Sequence, residues 1–142
     1  MSYSTYMTGR ITITPALTWM DIKDSKHFGG SATNVNGWSE YPDLVFEIEA
    51  EERPMPEGIL SIERAIAIVP ASEYYPTRGD RAENELRALI DEFGAGRTFE
   101  GTIEGVGEGD PGKGAEGIDV WRLSVDRGKV RKIKPKLVWM NA

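Results

Sequence analysis

Apolar and polar residues alternate in several separate segments of this chain, and this period of two narrows its possible folds more than any other pattern. In residues 44–51, Leu44, Phe46 and Ile48 stand on one side and three glutamates stand on the other. Related patterns occur in segments 6–14, 59–69, 98–104, 118–125 and 129–139. Successive side chains of a strand point to opposite faces, so the pattern predicts strands with one buried face, as in antiparallel sheets.

Residues 80–93 show a helical repeat instead. The apolar positions are Ala82, Leu86, Leu89, Ile90 and Phe93. Residues 80–83 are typical of a capping box and Gly94 of a helix end, while Glu85, Arg87 and Asp91 are expected on the outer face. A second, short helix is predicted from Thr18 to Lys23, where Thr18 and Asp21 have the spacing of a capping box.

The resulting order of elements is β-α-β-β-α-β-β-β, and the predicted fold class is α+β. We expect a mainly antiparallel sheet of five or six strands, with one main helix (about 80–93) packed on one face and a short N-terminal helix. A length of 142 residues fits a single domain spanning 1–142. The predicted core consists of Ile11, Ile13, Phe46, Ile48, Leu60, Ile66, Leu86, Leu89, Ile90, Phe93, Phe99, Trp121 and Leu123.

Composition excludes several classes of function. The net charge of −6 disfavours non-specific binding to nucleic acid or an anionic membrane. The chain has no cysteine, so disulfides, thiolate zinc sites and a cysteine nucleophile are ruled out. No apolar run is long enough to cross a bilayer, and residues 1–10 lack the order of a signal peptide. We therefore expect a cytoplasmic protein without a cofactor.

The charges are sorted along the chain. Residues 40–63 contain eight acids and one base, whereas residues 127–136 contain six bases and no acid. Sorted charge creates a directional field that steers partners. The alternative is internal pairing, in which Glu47, Glu49 and Glu51 face Lys132, Lys134 and Lys136 across the sheet. The sequence leaves both interpretations open.

These patterns predict a small non-enzymatic interaction module that binds another protein. Glu47, Glu49 and Glu51 project from one strand face about 7 Å apart, and would attract a basic surface. Aromatic side chains in loops provide large contact areas, so Trp38, Tyr74 and Tyr75 are candidate anchors. A protein partner is expected rather than a small molecule.

Two other classes of function remain as alternatives. The first is a carboxylate-dependent enzyme, which would need an acid–base pair such as Glu47 or Glu49 beside Asp119. The second is a site that binds a cation through carboxylate oxygens, and no other metal-binding residue is predicted. Residues 107–112 match GxGxxG, but a strand follows them, so the segment is expected to be a hairpin loop. His27 is the only histidine and is expected to lie in solvent.

A set of short motifs lies at residues 8–15, 17–19, 21–22, 65–70, 98–101, 121–123 and 138–139. Together they resemble a family of small proteins of unknown function from actinobacteria and their phages. The resemblance implies no activity. The phage origin that it implies favours a small protein that acts by binding a host protein. The segment 105–117 is longer and richer in glycine than the family pattern, which indicates a tolerated insertion.

Overall fold

The computed structural model describes residues 4–28, 42–72, 74–75 and 80–136. The elements are β1 (Thr5–Leu17), α1 (Trp19–Ile22), β2 (Leu44–Met55), β3 (Gly58–Pro70), β4 (Tyr74–Tyr75), α2 (Asp80–Phe93), β5 (Thr98–Gly107), a 3-10 segment (Pro111–Gly117), β6 (Val120–Asp126) and β7 (Lys129–Ile133). The order agrees with the sequence prediction apart from two additions, the two-residue strand β4 and the 3-10 segment. In this part of the chain, neither helix has the length and apolar character needed to cross a membrane.

The strands form one antiparallel sheet in the order β2-β3-β1-β5-β6-β7, and β4 pairs separately with the beginning of β1. This confirms the predicted antiparallel sheet of five or six strands. The structure is mostly sheet, with little helix. The acidic strand β2 and the basic strand β7 lie at opposite ends of the strand order, so these two charged strands are not neighbours in the sheet.

The core lies between the inner face of the sheet and helix α2. The predicted core residues Ile11, Ile13, Phe46, Leu86, Leu89, Ile90, Phe93, Phe99, Trp121 and Leu123 are all buried. The predicted short helix α1 is also confirmed. The Thr18 hydroxyl accepts from the backbone N–H of Asp21, and the Asp21 carboxylate accepts from the backbone N–H of Thr18. Arg97 then ties α1 to the end of α2, with its Nη2 3.2 Å from Asp21 Oδ2.

The hairpin of β2 and β3 extends beyond the rest of the sheet. Strand β3 pairs with β1 only between Ala65 and Ile68, whereas its pairing with β2 continues to Met55 opposite Gly58. Residues 49–64 are therefore a two-stranded ribbon, called the arm below. A turn of two residues, Pro56 and Glu57, joins the strands, since β2 continues to Met55 and β3 begins at Gly58. Leu60 is correspondingly 47% exposed instead of buried in the core.

A bulge in β3 changes which side chains face inward. Glu47 is opposite Ala67, and the next residue, Ile48, is opposite Ala65. Ile66 therefore has no partner residue in β2. An extra residue reverses the alternation on one side of the bulge. Ile66 and Ile48, both predicted as core, are therefore only half-buried.

Two proline positions also differ from prediction. Strand β1 continues through Pro15 to Leu17, because its register with β3 is irregular between Thr12 and Leu17 and no ladder donor is required there. The last strand ends at Ile133, short of the predicted 129–139 and two residues before Pro135. Residues 137–139 lie outside the described part.

The turns after β5 and β6 follow the sequence chemistry. Arg127 and Gly128 have φ values of 51° and 78°, which makes the connection of β6 to β7 a tight two-residue hairpin turn. The glycine-rich segment after β5 is closed by a backbone hydrogen bond from Asp110 N–H to Gly117 O at 2.6 Å. A strand follows it, so no helix N-terminus is available to hold a phosphate.

Candidate functional site

The acidic face predicted from residues 47–51 is split between the sheet and the arm. Glu47 lies on the sheet, where Arg10 reaches from β1 across β3 and places its Nη2 2.6 Å from Glu47 Oε2. Hydrogen bonds from Arg10, together with its positive charge, hold the pKa of Glu47 below the ordinary value for glutamate. The charge of Glu47 is thus largely compensated within the molecule, which leaves the glutamates beyond it to carry the negative field.

Glu49 and Glu51 begin the arm. Glu51 is shared by two arginines at longer distances, 3.3 Å from Arg53 Nε and 3.5 Å from Arg64 Nη2. Glu49 is exposed and makes no ion pair with any described residue. The arm as a whole contains five glutamates and two arginines, so its field is negative.

The end of the arm is apolar. Met55, Ile59 and Leu60 are 53%, 72% and 47% exposed. Met55 and Leu60 share one face of the ribbon, and Ile59 lies on the other. An isolated two-stranded ribbon is only marginally stable in water, and exposed apolar groups close together usually mark an interaction surface. The arm therefore combines an acidic stem with an apolar tip, a combination that the sequence patterns did not reveal.

Two of the three candidate aromatic anchors, Tyr74 and Tyr75, do not lie at the arm. Trp38 is outside the described residues. Tyr74 and Tyr75 form β4, which pairs with Tyr6 and Thr5 at the beginning of β1, whereas the arm leaves the sheet near Leu17 at the other end. About ten residues of strand separate these positions, or roughly 30 Å.

The structure excludes internal pairing of the acidic and basic strands. Strands β2 and β7 are separated by β3, β1, β5 and β6, so Glu47, Glu49 and Glu51 do not face the lysines of the basic run. Lys132 instead pairs with Asp80 at the start of α2, with its Nζ 3.1 Å from Asp80 Oδ1, and lies 5.5 Å from the centre of the Trp121 ring. The acidic and basic residues are therefore separated in the folded sheet as they are in the sequence.

The same strand order separates the carboxylates of the enzymatic alternative. Asp119 immediately precedes β6, and three strands lie between β6 and the acidic strand β2 with Glu47 and Glu49. An acid–base pair must share one substrate, which these residues are too far apart to do. Within the described ranges, no three histidine or carboxylate side chains converge on a point that could hold a metal ion.

A buried polar cluster links α2 to the beginning of β2. Glu85 of α2 is 5% exposed, and its two carboxylate oxygens accept hydrogen bonds from the backbone N–H groups of Asp43 and Leu44, each at 3.0 Å. Arg81, one turn earlier, places its Nε 3.2 Å from the same carboxylate. The expectation that Glu85 lies on the outer face is wrong, because this carboxylate is needed inside to satisfy the first N–H groups of β2.

His27 belongs to the same cluster, and its predicted position in solvent is also wrong. The residue is 5% exposed, its Nδ1 lies 2.7 Å from the carbonyl oxygen of Leu44, and the same nitrogen is 3.7 Å from Glu85 Oε1. A carbonyl oxygen only accepts, so Nδ1 carries the proton and donates it. The backbone carbonyl of His27 accepts from Phe46 N–H at 2.9 Å.

The cluster acts as a clamp rather than as a reactive centre. Both oxygens of Glu85 and Nδ1 of His27 are engaged with the backbone of β2, so their hydrogen-bonding capacity is directed at the fold. One signal in the sequence indicated Glu85: it stands three residues after Ala82 and four before Leu89, on the apolar side of the helix. No comparable signal indicated His27.

Grooves also occur on the surface of the described residues, and two of them lie beside the β6–β7 hairpin. One, of about 430 Å³, lies between α2 and the β6–β7 hairpin and is lined by Arg87, Ile90, Asp91, Asp126, Gly128, Lys129, Val130 and Arg131. Its two carboxylates share the space with three bases, and Arg131 pairs with Asp126 at 3.5 Å. The other, of about 230 Å³, is bounded by strands β5 and β6 and by residues 133–135.

The sequence matches a family of unknown function, DUF6205, over residues 1–142. The chain belongs to the DUF6205 family. The match extends over the whole sequence, and so includes the arm, the buried clamp and both charged strands. No curated protein and no solved structure matched the chain. The family description assigns no activity, so the functional argument depends on the geometry of these surfaces.

Proposed function

We propose that this DUF6205 chain is a non-enzymatic interaction module that binds a basic protein surface through its acidic arm. The observation that carries the proposal is the arm itself, a ribbon of residues 49–64 that leaves the sheet with an acidic stem and an apolar tip. A monomeric protein gains nothing in stability from holding Ile59 and Leu60 in water. A partner that covers them would bury apolar area and stabilise the ribbon.

Charge and apolar contact have separate roles in this proposal. Glu49 and Glu51 accelerate the encounter with a basic partner, because long-range attraction raises association rates. Met55, Ile59 and Leu60 then hold the complex, because buried apolar side chains at an interface mainly slow dissociation. Glu47 contributes less to steering than the sequence suggested, since Arg10 already pairs with it.

In this proposal the aromatic residues contact the partner separately from the arm. Tyr74 and Tyr75 lie in β4 at the far end of β1 from the arm, so a partner would reach them only by extending along the sheet. Trp38 is retained as an anchor on the sequence argument that loop aromatics suit interfaces. The resemblance to actinobacterial and phage proteins supports a phage-derived chain whose partner is a host protein in the cytoplasm.

The test compares affinity capture with three forms of the chain. The wild type and the arm variant Glu49→Lys/Glu51→Lys are matched with Glu92→Lys/Glu100→Lys, which makes the same charge change at two exposed glutamates away from the arm. Proteins captured from a host lysate are identified by mass spectrometry, and the recovered partner is then measured against each form in kinetic experiments.

We expect the arm variant to lose the partner that the control variant retains. The association rate should fall at least tenfold at low salt, and added salt should reduce the difference, because screening removes long-range attraction. Ile59→Ser/Leu60→Ser should raise the dissociation rate, whereas Met20→Ser, at an apolar residue that is 71% exposed on α1, should not. A partner that binds the arm variants and the wild type equally would contradict the proposal.

A further inference from the structure

Exposed apolar side chains also occur on the outer face of the sheet, far from the arm. Val106 and Ile133 are 52% and 48% exposed and line the groove of about 230 Å³. Val120, Trp121 and Pro135 complete its apolar lining. Sites for small molecules usually have volumes of about 300–1,000 Å³, so this smaller groove fits a few protein side chains better than a ligand.

One side of this groove is basic. Lys134 lies on its rim, near the end of the segment 127–136, which contains six bases and no acid. The acid in the groove, Glu104, is already paired with Arg122 at 2.8 Å. The groove thus presents an apolar floor beside positive charge, the complement of an acidic arm with an apolar tip.

The arm cannot occupy the groove of its own molecule. Val106 is opposite Tyr6 near the beginning of β1, whereas the arm leaves the sheet beyond the pair of Leu17 and Ala65 near its end. The two features also belong to opposite sides of the strand order, since the arm is formed by β2 and β3 and the groove lies on β5 and β6. An arm that fills this groove must come from another molecule.

We propose that the arm of one chain docks into the β5–β6 groove of a second copy of the same chain. Met55 and Leu60, which share one face of the arm, contact Val106 and Ile133, and the glutamates of the arm lie against Lys134 and the neighbouring bases. The inference rests on the proposed function, because it takes the arm as the binding element. It names a second copy of the chain, in place of a host protein, as what the arm binds.

The arrangement has a defined symmetry. Arm and groove are different surfaces, so a single arm-to-groove contact would propagate into open chains of molecules. Two copies that exchange arms instead make the same contact twice and form a closed dimer. Exchange doubles the buried area, which brings two small contacts closer to the 1,200–2,000 Å² typical of stable interfaces. We therefore assign a dimer with reciprocal arms.

The purified full chain tests this by sedimentation equilibrium over a range of concentrations. The arm variant Glu49→Lys/Glu51→Lys and the groove variant Lys134→Glu/Lys136→Glu should each raise the dimer dissociation constant at least tenfold, because each places like charges at both contacts. An equal mixture of the two should dimerise nearly as well as the wild type, since opposite charges then meet at both contacts. Glu92→Lys/Glu100→Lys is the matched control and should leave the dimer intact.

The outcomes separate this inference from the proposed function. A wild type that stays monomeric at all concentrations, or two variants that fail to complement each other, would overturn the reciprocal dimer. If the arm variant nevertheless loses its partner from a lysate, the arm still binds another protein and only the identity of that partner is wrong. If the arm variant changes neither the dimer nor the capture, both proposals fail. Ile59→Ser/Leu60→Ser provides an independent variant, because it removes apolar contact without altering charge.

Discussion

Replacement of Glu85 should show how strongly the buried clamp holds the beginning of β2. The carboxylate accepts from two backbone N–H groups, of Asp43 and Leu44. In Glu85→Ala both donors would lose their acceptor, and a buried donor without a partner costs about 1–3 kcal/mol, so the free energy of unfolding should fall by roughly 2–6 kcal/mol. Glu85→Gln retains one accepting oxygen and should lose roughly half as much.

Urea denaturation at neutral pH measures both changes. Glu92→Gln on the exposed side of the same helix is the control, and should change the free energy of unfolding by less than about 0.5 kcal/mol. Hydrogen exchange adds a local measurement, because the amides of Asp43 and Leu44 should lose protection first. If Glu85→Gln is no more costly than the control, Glu85 does not satisfy β2 and the clamp has been misinterpreted.

Two further predictions concern the core and the pH dependence of stability. Leu89 is fully packed against the sheet, so Leu89→Ala should lower the free energy of unfolding by about 2–5 kcal/mol in urea denaturation, and a loss below 1 kcal/mol would place it outside the core. The backbone hydrogen bond from Thr18 lowers the pKa of Asp21, so Asp21 stabilises the fold above its unfolded pKa of about 3.9, and this stabilisation is lost as the pH falls through the lower folded value. As the pH is lowered, the free energy of unfolding should therefore change less for Asp21→Asn than for the control Asp24→Asn. Parallel curves of this free energy against pH would contradict the assignment.

Local patterns predicted the elements of this fold well. Alternation depends only on neighbouring residues, and it located six of the strands. The helical repeat located α2, and Gly94 marked its end, where Gly94 N–H donates to Ile90 O at 2.8 Å. The hairpin turn at Arg127 and Gly128 was equally local. In each case the information lies within a few residues of the element that it specifies.

Long-range relations could not be predicted in the same way. The bulge at Ile66 arises from the register between β2 and β3, and it reverses an alternation that looked continuous. Pairing of Glu47 with Arg10 depends on which strand lies two places away in the sheet. His27 is buried because Leu44 O is available as an acceptor, a contact between residues that no periodic pattern relates. The sequence therefore indicated an acidic strand correctly but not which of its charges are free.

The central position of β1 has a consequence for how this chain folds. Among the described residues, β1 alone joins the β2–β3 hairpin to the meander of β5, β6 and β7. Its partners are distant in sequence, since Thr5 is opposite Gly107, whereas the hairpins on both sides form between neighbouring segments. Closing so long a loop costs chain entropy before any contact compensates for it, and such contacts slow folding. We expect the hairpins to form first, and β1, although synthesised before them, to enter the sheet last.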